Sequence, residues 1–563
     1  MVTRRQFLHN AALLGAGFFL PRDLTRYYKT APAATLTNLD PHTIAKYVTP
    51  LLVPPAMPRT QEIKGKYGEP VDYYEIAVRQ FSQQILPGTL PSTTVWGYGS
   101  VSQPGEIFNA PSLTIEATYN KPVRVKWINQ LVNLGNGYLP HILPVDPTLH
   151  WANPVGPGLP DTRPNFTSTP GRYSGPVPMV VHVHGAHVEE DSDGSAMAWF
   201  LPDAANLAAG TAKVGTMYDQ FKAEAEARYG QAWTPGSAVF QYPNDQRAST
   251  LWYHDHTMGM TRLNVYAGPA GFYIIRGGPD DLPAGVLPDP AKYEIPIAIQ
   301  DRSFNTDGSL FYPDSRELFD PGFTGPFIPG SDIAPIWNPE TFGNAIMVNG
   351  NTWPYLRVEP RRYRFRILNG CNSRFLILKL VAVADAPRPA APALTFWQIG
   401  SEGGFLSAPT EQEQLLMTLA ERADVIIDFT GKQGQEFYMI NEAPDEPFGG
   451  GVVGVDFPPS DLLTTGQVMK FIVDLPLTGT DTSVNPAQLT LPAIQPLEAA
   501  VRTRQVSLNE LDSEVLQNPD TTPFGPKEAL LGTLNPDGTG HPIEWHHEVT
   551  ETPHVGDTEV WEI

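Results

Sequence analysis

Two short stretches carry residues able to do metal chemistry: Val181-His182-Val183-His184-Gly185 and Leu251-Trp252-Tyr253-His254-Asp255-His256-Thr257-Met258-Gly259-Met260. Each holds a His-x-His pair among β-branched or aromatic neighbours, a context that predicts a strand. In a strand, residues i and i+2 share a face and lie roughly 6.5–7 Å apart. That is too wide for both imidazoles of one pair to serve a single ion comfortably, but it suits two ions side by side. Two pairs facing each other would offer His182, His184, His254 and His256 to a small metal cluster. Imidazole-rich sites suit copper, zinc, iron or nickel, so the ligands alone leave the metal open.

The elements that must hold these pairs are mostly strands. A chain of 563 residues exceeds one ordinary domain. With 58 Pro, 49 Gly, 41% hydrophobic residues and many short apolar runs, it reads as β-rich with long loops. The one clear helix runs from Thr216 to Arg228, stopped by Gly230. A net charge of −22 argues against nucleic acid or an anionic membrane as partner, since either needs basic patches. The single cysteine leaves no intramolecular disulfide.

At the N-terminus, Thr3-Arg4-Arg5-Gln6-Phe7-Leu8 has the paired arginines of a twin-arginine signal. The apolar run Ala11 to Leu20 that follows is too short to span a bilayer, and Ala31-Pro32-Ala33 offers a small-x-small cleavage site. The expected division is a signal over 1–34, an irregular arm wrapping the first domain over 35–70, and a first β domain over 71–278. A second β domain over 279–475, a Pro/Thr-rich linker over 476–500 and the opening of a third domain over 501–563 complete it. The export route implies a periplasmic, cell-envelope or secreted protein, with no membrane contact after cleavage.

An internal repeat supports this division. Pro111 to Glu116 leads into Arg124-Val125-Lys126-Trp127-Ile128-Asn129, and Pro354 to Glu359 leads into Arg364-Phe365-Arg366-Ile367-Leu368-Asn369. The second strands are 364 − 124 = 240 residues apart. A third copy starts at Val555-Gly556-Asp557-Thr558-Glu559-Val560-Trp561-Glu562-Ile563, so the chain is expected to stop inside a domain.

Together, His182-x-His184-Gly185 with Asp193-Gly194, Trp252-x-His254-x-His256 and Arg262-Leu263-Asn264-Val265-Tyr266-Ala267-Gly268 resemble the multicopper oxidases, in particular the bacterial spore-coat laccase and bilirubin oxidase group. Val348-Asn349-Gly350 with Trp353-Pro354, and Ile399-Gly400-Ser401-Glu402-Gly403-Gly404, extend the likeness from about Val71 to Ile563. The resemblance implies an all-β fold of tandem cupredoxin-like Greek-key barrels, two complete and the start of a third. It also implies four coppers in a complete member: a type 1 copper that takes electrons from a small aromatic substrate, and a trinuclear cluster that reduces dioxygen to water. Carried over by position, His182 binds the type 2 copper, and His184, His254 and His256 bind the type 3 pair. Asp193 stands where the family has an acid near the cluster; its plainer reading is a turn residue before Gly194. Asp255 points to the opposite face, as a support for neighbouring ligands or as a simple surface carboxylate.

The departures are as informative. The family's His-Pro-x-His-x-His and His-Cys-His motifs, which supply the other trinuclear ligands and the type 1 site, do not occur in residues 1–563. His541-Pro542-Ile543-Glu544-Trp545-His546-His547 imitates the first but has Glu544 where a ligand belongs, and Cys371 has no histidine near it in sequence. The type 1 copper is therefore expected to be absent and the chain inactive alone. The first reading is an oxidase cut short, acting on phenols, aromatic amines or bilirubin-like pigments. The second is a subunit whose third domain a second chain completes, or a non-catalytic copper-binding protein. A third is a zinc hydrolase using His182, His184 and His187. His141 and His150 read as structural or exposed, and Met258 and Met260 as core.

Overall fold

The computed structural model describes residues 38–102, 107–323 and 325–563. The twin-arginine stretch and its cleavage site lie outside them. Nine strands make the first β unit: β1 (Gln61–Lys64), β2 (Pro70–Gln83), β3 (Thr93–Ser100), β4 (Ser112–Thr118), β5 (Val123–Asn129), β6 (Val181–His184), β7 (Ser237–Tyr242), β8 (Ser249–Asp255) and β9 (Ala270–Arg276). One sheet runs β1-β2-β5-β7 with β3 on β2, and the facing sheet runs β4-β9-β8-β6. Alternation along the strands sends Tyr98, Trp127 and Tyr253 between the sheets, with ring centroids 5.4–5.6 Å apart. Helix α1 (Tyr218–Tyr229) starts two residues later than the sequence predicts and ends at Gly230, whose φ of +68° suits glycine.

Strands from Glu294 to Val473 form a second pair of sheets, of eight and five strands. The repeat has a topological meaning. β2 lies parallel to β5 with Val78 opposite Asn129, and Glu294–Phe304 lies parallel to Arg362–Asn369 with Ile299 opposite Asn369. A third parallel pair joins Arg502–Gln505 to Glu559–Glu562. The strand-ending asparagines do the same work. Asn129 donates to the Val177 and Phe200 carbonyls and accepts from the Leu131 amide; Asn369 donates to Arg374 and Met417 carbonyls and accepts from the Cys371 amide. A short side chain with both donor and acceptor satisfies backbone groups that the ended ladder leaves open.

Two connecting segments differ from expectation. The arm does not begin by wrapping the first unit: Leu39, Tyr47 and Leu51 amides donate to Phe304, Trp353 and Tyr355 of the second. Only at Pro55 and Met57, both bonded to Thr114, does it reach the first unit, where β1 pairs with β2. The Pro/Thr-rich stretch after Val473 is also fastened. Asp481 and Ser483 hold Arg362, and Leu489 and Leu491 are buried against Ile399, Phe405 and Ile426. Residues 492–500 are exposed but for a half-buried Pro492, and the strands beyond carry exposed Leu508, Leu531, Val560 and Trp561. Among the described residues, no helix is long and apolar enough to cross a membrane.

Candidate metal centre

β6 and β8 pair antiparallel with His182 opposite His254 and His184 opposite Trp252. Val181, Val183, Leu251 and Tyr253 enter the core, so the pleat turns His182, His184, Trp252 and His254 to the other face. His256 follows directly, its amide bonded to the Val180 carbonyl. The four imidazoles meet as expected: ring centroids are 5.7 Å apart within the first pair and 6.1 Å within the second. Across the pairs His182 and His256 approach to 4.8 Å.

Three rings are oriented by backbone carbonyls. Nδ1–H of His182 donates to Asp193 (2.6 Å), that of His254 to Asp255 (2.7 Å) and that of His256 to Gly194 (3.1 Å). A carbonyl can only accept, so in each ring the proton sits on Nδ1 and the Nε2 lone pair is left for a ligand role. His184 is arranged the other way: its Nδ1 lies 3.4 Å from His254 Nε2. Two nitrogens at that separation, each roughly 2.0–2.1 Å from one ion, subtend about 110–115°, an angle that tetrahedral or trigonal coordination accepts. The residues present therefore fit a metal ion between His184 and His254, with His182 and His256 each able to reach another.

Electrostatics favours the neutral rings that metals need. Burial pushes His184 down to about 4, helped by the nearby Arg422 guanidinium. Burial likewise holds His254 well below and His256 below the ordinary imidazole value. His182 goes the other way: burial opposes its charge, but the Asp193 carboxylate and carbonyl together raise it. The Asp193 carboxylate is half-exposed, with Oδ1 3.3 Å from His182 Nδ1. It ends a short 3₁₀ turn before Gly194 and lies beside the His182 ring.

Asp255 points to the opposite face, as expected, but is buried rather than superficial. It accepts from the Val180 and Thr257 amides, the Thr257 hydroxyl and Asn264 Nδ2. Asn264 Oδ1 in turn takes His141 Nε2–H, and His141 Nδ1 accepts from the Leu143 amide. His141 is thus a structural histidine, as is His150, bonded to the Asp161 carbonyl. Met258 and Met260 are buried. His187 is exposed against Asp245 and takes no part in the ring contacts that join the other four histidines. Cys371 is buried in the second unit with its thiol pushed up by burial. Glu544, His546 and His547 gather on one exposed turn, their candidate ligand atoms within 4.8 Å of one another.

Sequence reasoning missed the carbonyls of Asp193 and Gly194, and it missed Trp252 and Arg422. Trp252 lies 4.2 Å from His254 and stacks on His184, covered behind by Ala298 and Leu368 of the second unit. The alternation Trp252-His254-His256 was a signal for the first; nothing local signals Arg422.

The laccase of Bacillus subtilis (strain 168) is 34% identical over 529 residues, covering 92% of this chain and 80% of its own length. The laccase of Haloferax volcanii is 31% identical over 581 residues, covering 100% of this chain and 76% of its own. The chain belongs to the multicopper oxidases. Membership makes it a copper-dependent oxidoreductase, which decides among the metals that imidazoles admit and removes the zinc hydrolase reading. A rice multicopper oxidase, LPR1 homolog 1, is 33% identical over 512 residues, 90% of this chain and 70% of its own. No family model matches the chain. Among solved structures, the multicopper oxidase of Campylobacter jejuni superposes with a TM-score of 0.52 at 16% identity, over 85% of this chain and 71% of its own. A variant of Aquifex aeolicus McoA gives 0.51 at 21%, over 82% and 72%. Both carry the same cupredoxin-like fold.

Proposed function

We propose that this multicopper oxidase holds copper on His182, His184, His254 and His256 and belongs to the laccase-like members that oxidise phenols, aromatic amines or bilirubin-like pigments. The observation that carries the ligand assignment is the 3.4 Å approach of His184 Nδ1 to His254 Nε2 beside two further imidazoles whose Nε2 lone pairs are free. In this reading His184, His254 and His256 would hold the type 3 pair, His184 and His254 together on one ion, and His182 would hold the type 2 copper. Bound copper supplies the one-electron steps by which dioxygen is reduced to water. The chain's own groups do the rest. The Asp193 and Gly194 carbonyls fix two rings, burial keeps three rings unprotonated, and the half-exposed Asp193 carboxylate carries protons from solvent toward the His182 edge.

The type 1 centre needs a thiolate with two histidines. We read Cys371, the single cysteine, as a packed thiol with no such neighbours among the described residues, so these residues offer no centre that accepts electrons from substrate. The test of the ligand assignment is copper content after equilibrium dialysis. Wild type should retain copper that His184→Ala and His254→Ala each lose, while His187→Ala retains all of it. Copper retained equally by all four chains would overturn the assignment.

A further inference from the structure

The metal-bearing face of β8 continues below the histidines, and the second unit covers it. Thr250, Trp252 and His254 share that face by the two-residue period of a strand. Arg366 Nη1 donates to the Thr250 hydroxyl at 2.6 Å, and Arg422 Nε donates to the Thr250 carbonyl at 3.1 Å. Both guanidinium groups are themselves fixed. Arg422 Nη1 donates to the Ala420 carbonyl (2.7 Å) and to Glu402 Oε1 (2.9 Å). Arg366 Nε donates to Glu294 Oε1 (2.9 Å), a carboxylate that also takes Arg364 at 2.9 Å and, from the first unit, Arg276 at 2.8 Å.

Arg422 reaches one element further. A Cβ placed on Gly185 would lie 3.1 Å from Arg422 Nη2, so the guanidinium rests against the turn that follows His184. One buried side chain of the second unit therefore sits against both strands that supply the closest nitrogen pair of the metal centre. The planar fork of arginine, with donors in fixed directions, suits such a bridge in a way a lysine cannot.

We infer that Arg422 and Arg366 are positioning residues for the copper centre, setting the height and spacing of β6 and β8 from the neighbouring unit. This rests on the assignment of copper to His184 and His254. The coupling makes metal affinity a property of two packed units rather than of one sheet. Partners outside the ligand sphere typically change metal affinity 10- to 100-fold, roughly the effect expected here.

The experiment measures copper affinity of the full chain by competition with a chelator of known affinity, and thermal melts of the same chains without metal. Arg422→Met and Thr250→Val should each weaken copper binding by about 10- to 100-fold, with Arg422→Lys intermediate. Lys379→Met breaks a different buried pair of the second unit, with Glu442. It should lower the melting temperature and leave copper affinity unchanged. If Arg422→Met does not fold, Arg422→Lys decides for Arg422, while Thr250→Val, which keeps the side-chain shape and the backbone carbonyl, removes only the Arg366 bond and decides for Arg366. Wild-type affinity in Thr250→Val and in folded Arg422→Met would overturn the inference, as would an equal loss in Lys379→Met. Failure of the underlying assignment looks different: wild type itself would then hold no copper that His184→Ala or His254→Ala removes.

Discussion

At Gly194 the backbone itself belongs to the candidate metal site. Its φ is +81°, and a Cβ there would lie 2.1 Å from the Val181 carbonyl oxygen and 3.0 Å from His182 Cα. Because the Asp193 and Gly194 carbonyls orient His182 and His256, any side chain at 194 must push both anchors away from β6. Gly194→Ala should therefore lose most of the copper held by those two histidines. Gly210→Ala, equally strained at φ +87° but with open space around it, should cost about 1–2 kcal/mol of stability and no copper. Copper analysis of the two purified variants checks this, and equal contents would contradict it. His141 makes a different prediction. Burial pushes it down to about 3, against about 6.5 unfolded, so the folded chain keeps it neutral where the unfolded chain is protonated. Its contribution to stability is complete above about pH 6.5 and is lost as pH falls toward about 3. Urea midpoints of the metal-free chain should fall on acidification, less steeply in His141→Leu; parallel slopes would refute this.

At the scale of the element, β8 is a strand with two trades. Leu251 and Tyr253 face the aromatic core, Tyr253 stacking near Trp127 and Tyr98 and donating its hydroxyl to the Leu113 carbonyl at 2.6 Å. Thr250, Trp252 and His254 face the second unit and the cluster of imidazoles. Because the faces are separate, Tyr253→Phe should lower stability by about 1 kcal/mol, one buried hydrogen bond, while copper content stays at the wild-type level. Denaturant melts and metal analysis on one sample check both halves, and lost copper would show that the faces are coupled. The alternation was readable directly from Leu251 to His256. The pairing of His182 with His254 was not, since residues 72 positions apart (254 − 182) acquire a register only from the ladder.

On the scale of the whole molecule, the repeat was the most legible feature, because Asn129 and Asn369 end equivalent strands for the same hydrogen-bonding reason. The connections were less so. Composition marked 35–70 as an arm and 476–500 as a linker, yet proline content says nothing about which surface a segment lies on. The structure lays the arm first along the second unit and buries Leu489 and Leu491 in it. On the reading that Cys371, the single cysteine, forms no thiolate–histidine centre, the purified 563-residue chain loaded with copper should not turn over a phenolic dye. Dye oxidation above the rate of free copper, lost in His184→Ala, would refute that expectation.

From its sequence alone, this protein declared the residue types that bind metal, the strands that carry them and the family to which it belongs. These are local properties: a His-x-His pair fixes which face its imidazoles share, and an alternating run fixes which face is buried. Which nitrogens meet, which carbonyls hold the rings and which arginines of another unit brace the strands were decided by tertiary structure. Their physical cause is close approach between segments far apart in the chain, such as Gly194 against Val181 and Arg422 against Thr250 and Gly185. No local pattern encodes such a contact; packing of the two units creates it.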